Sequence, residues 1–152
     1  MRHGVWGRAA RSLFGAALAA FVVVLAGCGK RGWLETYPVK GTVLVDGKPA
    51  KDAMLSFHPK ETVEGKPHLP AGRTNENGEF NLSTFVTDDG APAGEYDVTI
   101  VWPVRHNPIS TLWEGDKLGG QYAKGKSTLR VTIEKKPQQL PPFELTSGGS
   151  KK

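Results

Sequence analysis

The stretch that decides the fold is Val39-Lys40-Gly41-Thr42-Val43-Leu44-Val45-Asp46-Gly47-Lys48-Pro49-Ala50. Val39, Gly41, Val43 and Val45 recur at period two with Lys40 and Thr42 opposite, which predicts a strand with one buried face. Asp46-Gly47 follows at once. Both positions tolerate positive φ, so the pair is a favoured tight hairpin turn.

The same alternation continues downstream. Ala53, Leu55 and Phe57 alternate with Met54, Ser56 and His58, and Pro59 stops the run. Asn77-Gly78 marks another turn, after which Phe80 and Leu82 alternate with Asn81 and Ser83. Tyr96, Val98, Ile100 and Trp102 make the longest apolar face, ended by Pro103. Leu129, Val131 and Ile133 form another, and Phe143-Glu144-Leu145 a last short one. The 19 glycines and 11 prolines fall mainly between these runs, as turn residues do. A lone strand would leave its apolar face wet, so six or seven such strands must cover one another in two layers. The expectation is an all-β, antiparallel, seven-stranded sandwich over residues 37–146, followed by a disordered polar tail at 147–152.

Upstream the pattern changes. Residues 1–12 carry Arg2, Arg8 and Arg11 and no acid, and residues 13–27 carry no charge. A basic segment followed by a short apolar one predicts a secretory signal peptide. An uncleaved anchor is the second choice, because the uncharged run is near the lower limit of the ~17–25 residues that span a bilayer.

Leu25-Ala26-Gly27-Cys28 resembles the lipobox of bacterial lipoprotein precursors. Small residues at 26 and 27 let a peptidase approach the backbone, and the Cys28 thiol becomes the thioether to diacylglycerol. The resemblance implies a signal peptide at 1–27 and a lipidated, palmitate-bearing tether at 28–36. The plainer alternative is a cysteine that happens to lie in an apolar segment. Cys28 is the only cysteine, so no intramolecular disulfide supports the domain and its core must do so. Removing the three leader arginines leaves 17 basic against 15 acidic residues, too even a balance for a nucleic-acid partner. Lys30 and Arg31 can meet anionic head groups or be ordinary solvated linker charges.

The 39–50 hairpin also resembles the "V-x-G-x-V-x-x-D-G-x-P" opening of carboxypeptidase-regulatory-like, transthyretin-like sandwich domains. The run from Ala53 to Pro59 is similar to their "A-x-V-x-F-x-P" strand, and Arg73 to Phe80 to their "T-x-x-x-G-x-F" turn and strand. Gly90 to Ile100 is similar to their "G-x-P-x-G-x-Y-x-V-x-V" element, and Asp116 to Leu129 to a later loop and strand of small planctomycete-type lipoproteins. The likeness spans nearly all of residues 37–146. It implies a transthyretin-like or Ig-like fold and an envelope address more than a function, since such folds bind hormones, hydrolyse a urate derivative or brace a neighbour. The hydrolases of that fold carry a His/Arg set and a C-terminal Tyr-Arg-Gly-Ser, whereas this chain ends Thr146 to Lys152 in TSGGSKK.

Catalysis asks for a nucleophile, a base and an orienting group together. His58, His68 and His106 lie in three different segments outside any such motif, so no enzyme is expected. Asp88-Asp89 invites a calcium reading, against an Asp-rich turn that bonds its own backbone. The expectation is no metal and no cofactor. The long connection from Trp102 to Lys126 holds Trp113 and Tyr122 among Arg105, His106, Glu114 and Asp116. Trp113, Tyr122, Arg105 and His106 are the candidate recognition surface, for an envelope protein or a glycan. The alternative is that Trp113 and Tyr122 fold the loop back onto the sandwich edge.

The combined expectation is a lipid-anchored, non-catalytic binding or structural module on the periplasmic or cell-surface face of a membrane. Gly29 is not the aspartate associated with inner-membrane retention, so family analogy favours the outer membrane.

Overall fold

The computed structural model describes residues 33–106 and 113–148. The leader and Cys28 lie outside the described residues, as do 107–112 and 149–152. The chain divides into Met1–Gly32 and Trp33–Lys152, and the fold described is that of the second unit.

That unit is all-β; no helix occurs among the described residues. Its strands are β1 (Val39–Val45), β2 (Lys48–Pro49), β3 (Met54–Pro59), β4 (Ala71–Arg73), β5 (Glu79–Asn81), β6 (Gly94–Val101), β7 (Arg105–His106), β8 (Trp113–Glu114), β9 (Arg130–Ile133), β10 (Gln138–Gln139) and β11 (Phe143–Leu145).

The first sheet is organised around β1. Odd residues present their backbone to one edge, where Leu82 N donates to Val39 O (3.0 Å), Val43 N to Gly78 O (2.8 Å) and Ala50 N to Val43 O (3.1 Å). There β5 and β2 run antiparallel to it. Even residues face the other edge, where Leu140 N donates to Lys40 O (2.8 Å) and Asp46 N to Leu145 O (2.9 Å). On that side β10 and β11 run parallel to β1. The sheet is therefore mixed, which corrects the antiparallel expectation at this edge. Parallel neighbours need a long crossover, and here almost the whole domain intervenes between β1 and β11.

The second sheet has the order β4-β3-β6-β9 and is antiparallel throughout. Ala71 and Ser83 exchange backbone hydrogen bonds of 2.9 and 2.8 Å, which ties β4 to the chain leaving β5 and joins the two sheets along one side. A two-stranded ribbon, β7–β8, stands apart from both sheets.

The inward faces meet in one apolar core. Val39, Val43, Val45, Phe80, Phe143 and Leu145 come from the first sheet; Leu55, Phe57, Tyr96, Val98, Ile100 and Ile133 come from the second. Phe57 joins them, with ring centroids 6.4 Å from Phe80, 6.4 Å from Phe143 and 6.1 Å from Tyr96. Burial of such a side chain is worth ~1.5–3 kcal/mol, and this sum replaces the absent disulfide. Gly41 occupies a core-facing position of β1 because the Phe80 ring lies over it.

Packing reaches beyond the strands at both ends. Leu34 is buried, and Tyr37 exchanges backbone hydrogen bonds with Ala91, so the stretch read as a tether is part of the domain from Trp33 on. At the other end Ser147 donates its amide (3.2 Å) and its hydroxyl (2.5 Å) to the Asp46 carboxylate. Those bonds hold the Asp46 carboxyl below its usual range. The first residue of the stretch read as a tail is thus tied to the β1–β2 turn.

Candidate functional site

The connection after β6 is built on Asp116. Its Oδ1 accepts from Trp102 N and Leu118 N, both at 2.9 Å, and its Oδ2 accepts from Gly120 N at 2.9 Å. Lys117 N donates to Trp102 O at 2.8 Å, so residues 102 and 116–117 close the base of the β7–β8 ribbon. The Lys117 ammonium lies 4.4 Å from the Trp102 ring centroid, and Trp102 Nε1 donates to Lys51 O at 2.8 Å. Leu118 is fully buried. From there the chain runs back beside β6: Ile100 N donates to Tyr122 O (3.0 Å), Ser127 Oγ to Val98 O (2.5 Å) and Val98 N to Leu129 O (2.9 Å).

This arrangement divides the candidate surface. The ribbon register puts His106 opposite Trp113 and Arg105 opposite Glu114. Tyr122 is placed differently: it is partly buried against the core, and its hydroxyl accepts from Thr146 N at 3.1 Å. The fold-back alternative thus describes Tyr122, while His106 and Trp113 are cross-strand partners in the ribbon and Arg105 pairs with Glu114 one step along it.

The remaining histidines have structural partners. His58 lies on the outward side of β3, with Nε2 3.0 Å from Thr99 Oγ1 on β6. His68 is buried, with Nδ1 3.1 Å from Lys66 O and Nε2 3.1 Å from the Tyr96 hydroxyl. Tyr96 in turn donates to Pro92 O at 2.8 Å, and burial pushes its phenol up to about 12.

The Asp88-Asp89 pair is part of a backbone clamp. Asp89 accepts from Thr84 N (2.6 Å), Phe85 N (3.1 Å) and Val86 N (3.2 Å), while Asp88 N donates to Ser83 Oγ (2.9 Å). No cluster of three metal-ligating side chains occurs among the described residues. The clamp fixes the loop that carries Phe85 and Val86. Phe85 stacks on Trp33 at 5.4 Å between ring centroids and 25° between planes. Trp33 remains 47 % exposed and Val86 44 %, so the pair forms an apolar knob. Sequence reasoning missed it. The signal was Trp33-Leu34, two large apolar residues inside a stretch taken for a tether.

The outer side of β1, β5, β4 and β10 is a shallow polar concavity of about 550 Å³, lined among others by Lys40, Thr42, Arg73, Glu79, Asn81 and Gln139.

The sequence matches no protein-family profile and no curated protein. Among solved structures it is similar to a 9R-lipoxygenase from Cyanothece PCC8801, with 13% identity and a TM-score of 0.40. That likeness covers 73% of this chain and 16% of the lipoxygenase, so the chain spans about a sixth of that protein, and at this TM-score it carries no argument about function.

Proposed function

We propose that this chain is a lipid-anchored cell-envelope protein whose domain, a transthyretin-like or Ig-like sandwich, is a non-catalytic binding or structural module. The observation that carries the reading is Leu25-Ala26-Gly27-Cys28 at the end of an uncharged run, followed within a few residues by a packed all-β domain. The non-catalytic part is supported by how the chemically able side chains are used. His58 bonds Thr99, His68 bonds Tyr96, and Asp89 and Asp116 each accept three backbone amides. Among the described residues every buried side-chain polar atom has a partner. The recognition element is the β7–β8 ribbon with Arg105, His106 and Trp113, and its partner is another envelope protein.

Two measurements test this. Palmitate labelling and mass spectrometry of the N-terminal peptide should find lipid on Cys28, and Cys28→Ser should move the protein to the soluble fraction. Crosslinking in native membranes should then recover one recurrent envelope protein, lost in the Trp113→Ala variant. Recovery of glycan alone would overturn the protein-partner reading in favour of a carbohydrate-binding module using Trp113 and Tyr122.

A further inference from the structure

We infer that the Trp33–Phe85–Val86 knob is a membrane-docking surface, which seats the domain against the head-group region of the bilayer that holds its lipid. The inference rests on the lipoprotein reading and adds an orientation to it. Trp33 and Val86 are about half open to water, and with the half-buried Phe85 they put three apolar side chains at one place on the domain. The Trp33 and Phe85 rings stack at 5.4 Å, and Val86 follows directly on the same loop. That loop is rigid by construction, since one carboxylate, Asp89, holds the amides of Thr84, Phe85 and Val86. The knob is therefore presented as a fixed feature.

The occupant follows from chain geometry. Trp33 is five residues from Cys28, and fully extended chain covers at most ~3.6 Å per residue, so the two Cα atoms are at most ~18 Å apart. A diacylglyceryl group at Cys28 would hold that point at the membrane surface. The chemistry fits as well. An indole with an aromatic neighbour and a short aliphatic side chain has the amphipathic character that settles at the head-group level of a bilayer. A single lipid group gives only marginal anchoring, and a second apolar contact strengthens it.

The knob also has a defined far end. β5 is antiparallel to β1, so the loop after β5 lies beside the start of β1, next to Trp33. The Asn75–Gly78 turn, bonded to Val43, lies towards the other end of β1. Residues 86 and 76 therefore lie towards opposite ends of β1.

The test uses the full lipidated chain in phosphatidylethanolamine–phosphatidylglycerol vesicles. Cys28 is the only cysteine, and its thiol is consumed by lipidation, so Val86→Cys and Glu76→Cys each offer one labelling site. An environment-sensitive fluorophore from Val86→Cys should show blue-shifted emission that brominated lipid quenches. The Glu76→Cys label should show neither, and adding Trp33→Gln should reduce the quenching at 86. Lipid on Cys28 with no quenching at 86 overturns the docking surface and leaves the lipoprotein reading intact. A label shielded from aqueous quencher but untouched by brominated lipid also overturns it, in favour of a protein contact. Absence of lipid on Cys28 removes both readings.

Discussion

Gly41 sits beneath the ring of Phe80, its cross-strand partner, so closely that a Cβ on Gly41 would lie 2.5 Å from Cζ and 2.7 Å from Cε1. The ring cannot step aside. Phe57 and Phe143 hold it from two directions, with centroids 6.4 and 6.1 Å away. Gly41→Ala should therefore behave as overpacking of a filled core and cost ~1–3 kcal/mol, measured by urea denaturation. Adding Phe80→Leu to Gly41→Ala should recover part of that loss. A double mutant no better than the sum of its parts would show that the ring is not the obstacle.

Gly90 makes a different demand. Its φ is +86°, and a Cβ there would stand 1.8 Å from the carbonyl oxygen of Tyr37. Tyr37 and Ala91 exchange both backbone hydrogen bonds beside it, at 2.9 and 3.0 Å. Gly90→Ala adds the left-handed penalty of ~1–2 kcal/mol to a collision with backbone, which no side-chain rotation relieves. It should cost more than Gly41→Ala and should speed amide exchange at Tyr37 and Ala91. Unchanged exchange there would refute the idea that Gly90 pins the segment holding Leu34.

These two glycines show what could be read from the chain. Period-two alternation is local, so β1, β3, β5, β6, β9 and β11 were visible in it. β4 was not, because Ala71-Gly72-Arg73 has no alternation and owes its place to partners on β3. The parallel seating of β11 beside β1 was also hidden, since only the assembled domain brings residues 143–145 to residues 43–45. The ribbon residues Arg105, His106 and Trp113 stood out by type, and their pairing came from the register. Tyr122 stood out equally, but its carbonyl and hydroxyl serve Ile100 and Thr146. Trp33 was overlooked because its partner, Phe85, lies 52 residues away.

Tyr96 gives the fold an alkaline limit. Its phenol titrates near 10.0 when free and at about 12 when folded, because burial opposes the charged form. Below about pH 10 both states hold the proton and the group is neutral to stability in this respect. Between about 10 and 12 only the unfolded state has lost it, so stability falls as pH rises, by ~2–3 kcal/mol in all. Tyr37 is also raised, first by its hydrogen bond with Glu35, so the comparison needs a specific variant. Tyr96→Phe should flatten much of the decline above pH 10. It should also cost ~1–3 kcal/mol at neutral pH by removing the hydroxyl that bonds Pro92 O and meets His68. An equally steep alkaline decline in Tyr96→Phe would assign the limit to another group.

Asp116 joins the stability of the domain to the closure of the ribbon. One carboxylate holds the amides of Trp102, Leu118 and Gly120, and with the bond from Lys117 N to Trp102 O it shuts the base of the β7–β8 ribbon. Asp116→Ala leaves three donors without their acceptor and should cost ~1–3 kcal/mol. Asp116→Asn keeps one oxygen for Trp102 and Leu118 but turns an amide towards Gly120, so its loss should be smaller. Hydrogen exchange should rise at all three amides in the alanine variant and chiefly at Gly120 in the asparagine variant. If the ribbon is the recognition element, its base must be closed for Arg105, His106 and Trp113 to keep their register. Asp116→Ala should then lower the yield of crosslinked partner while lipidation of Cys28 stays complete. Full crosslinking from a variant whose amides exchange freely would place the recognition surface away from the ribbon.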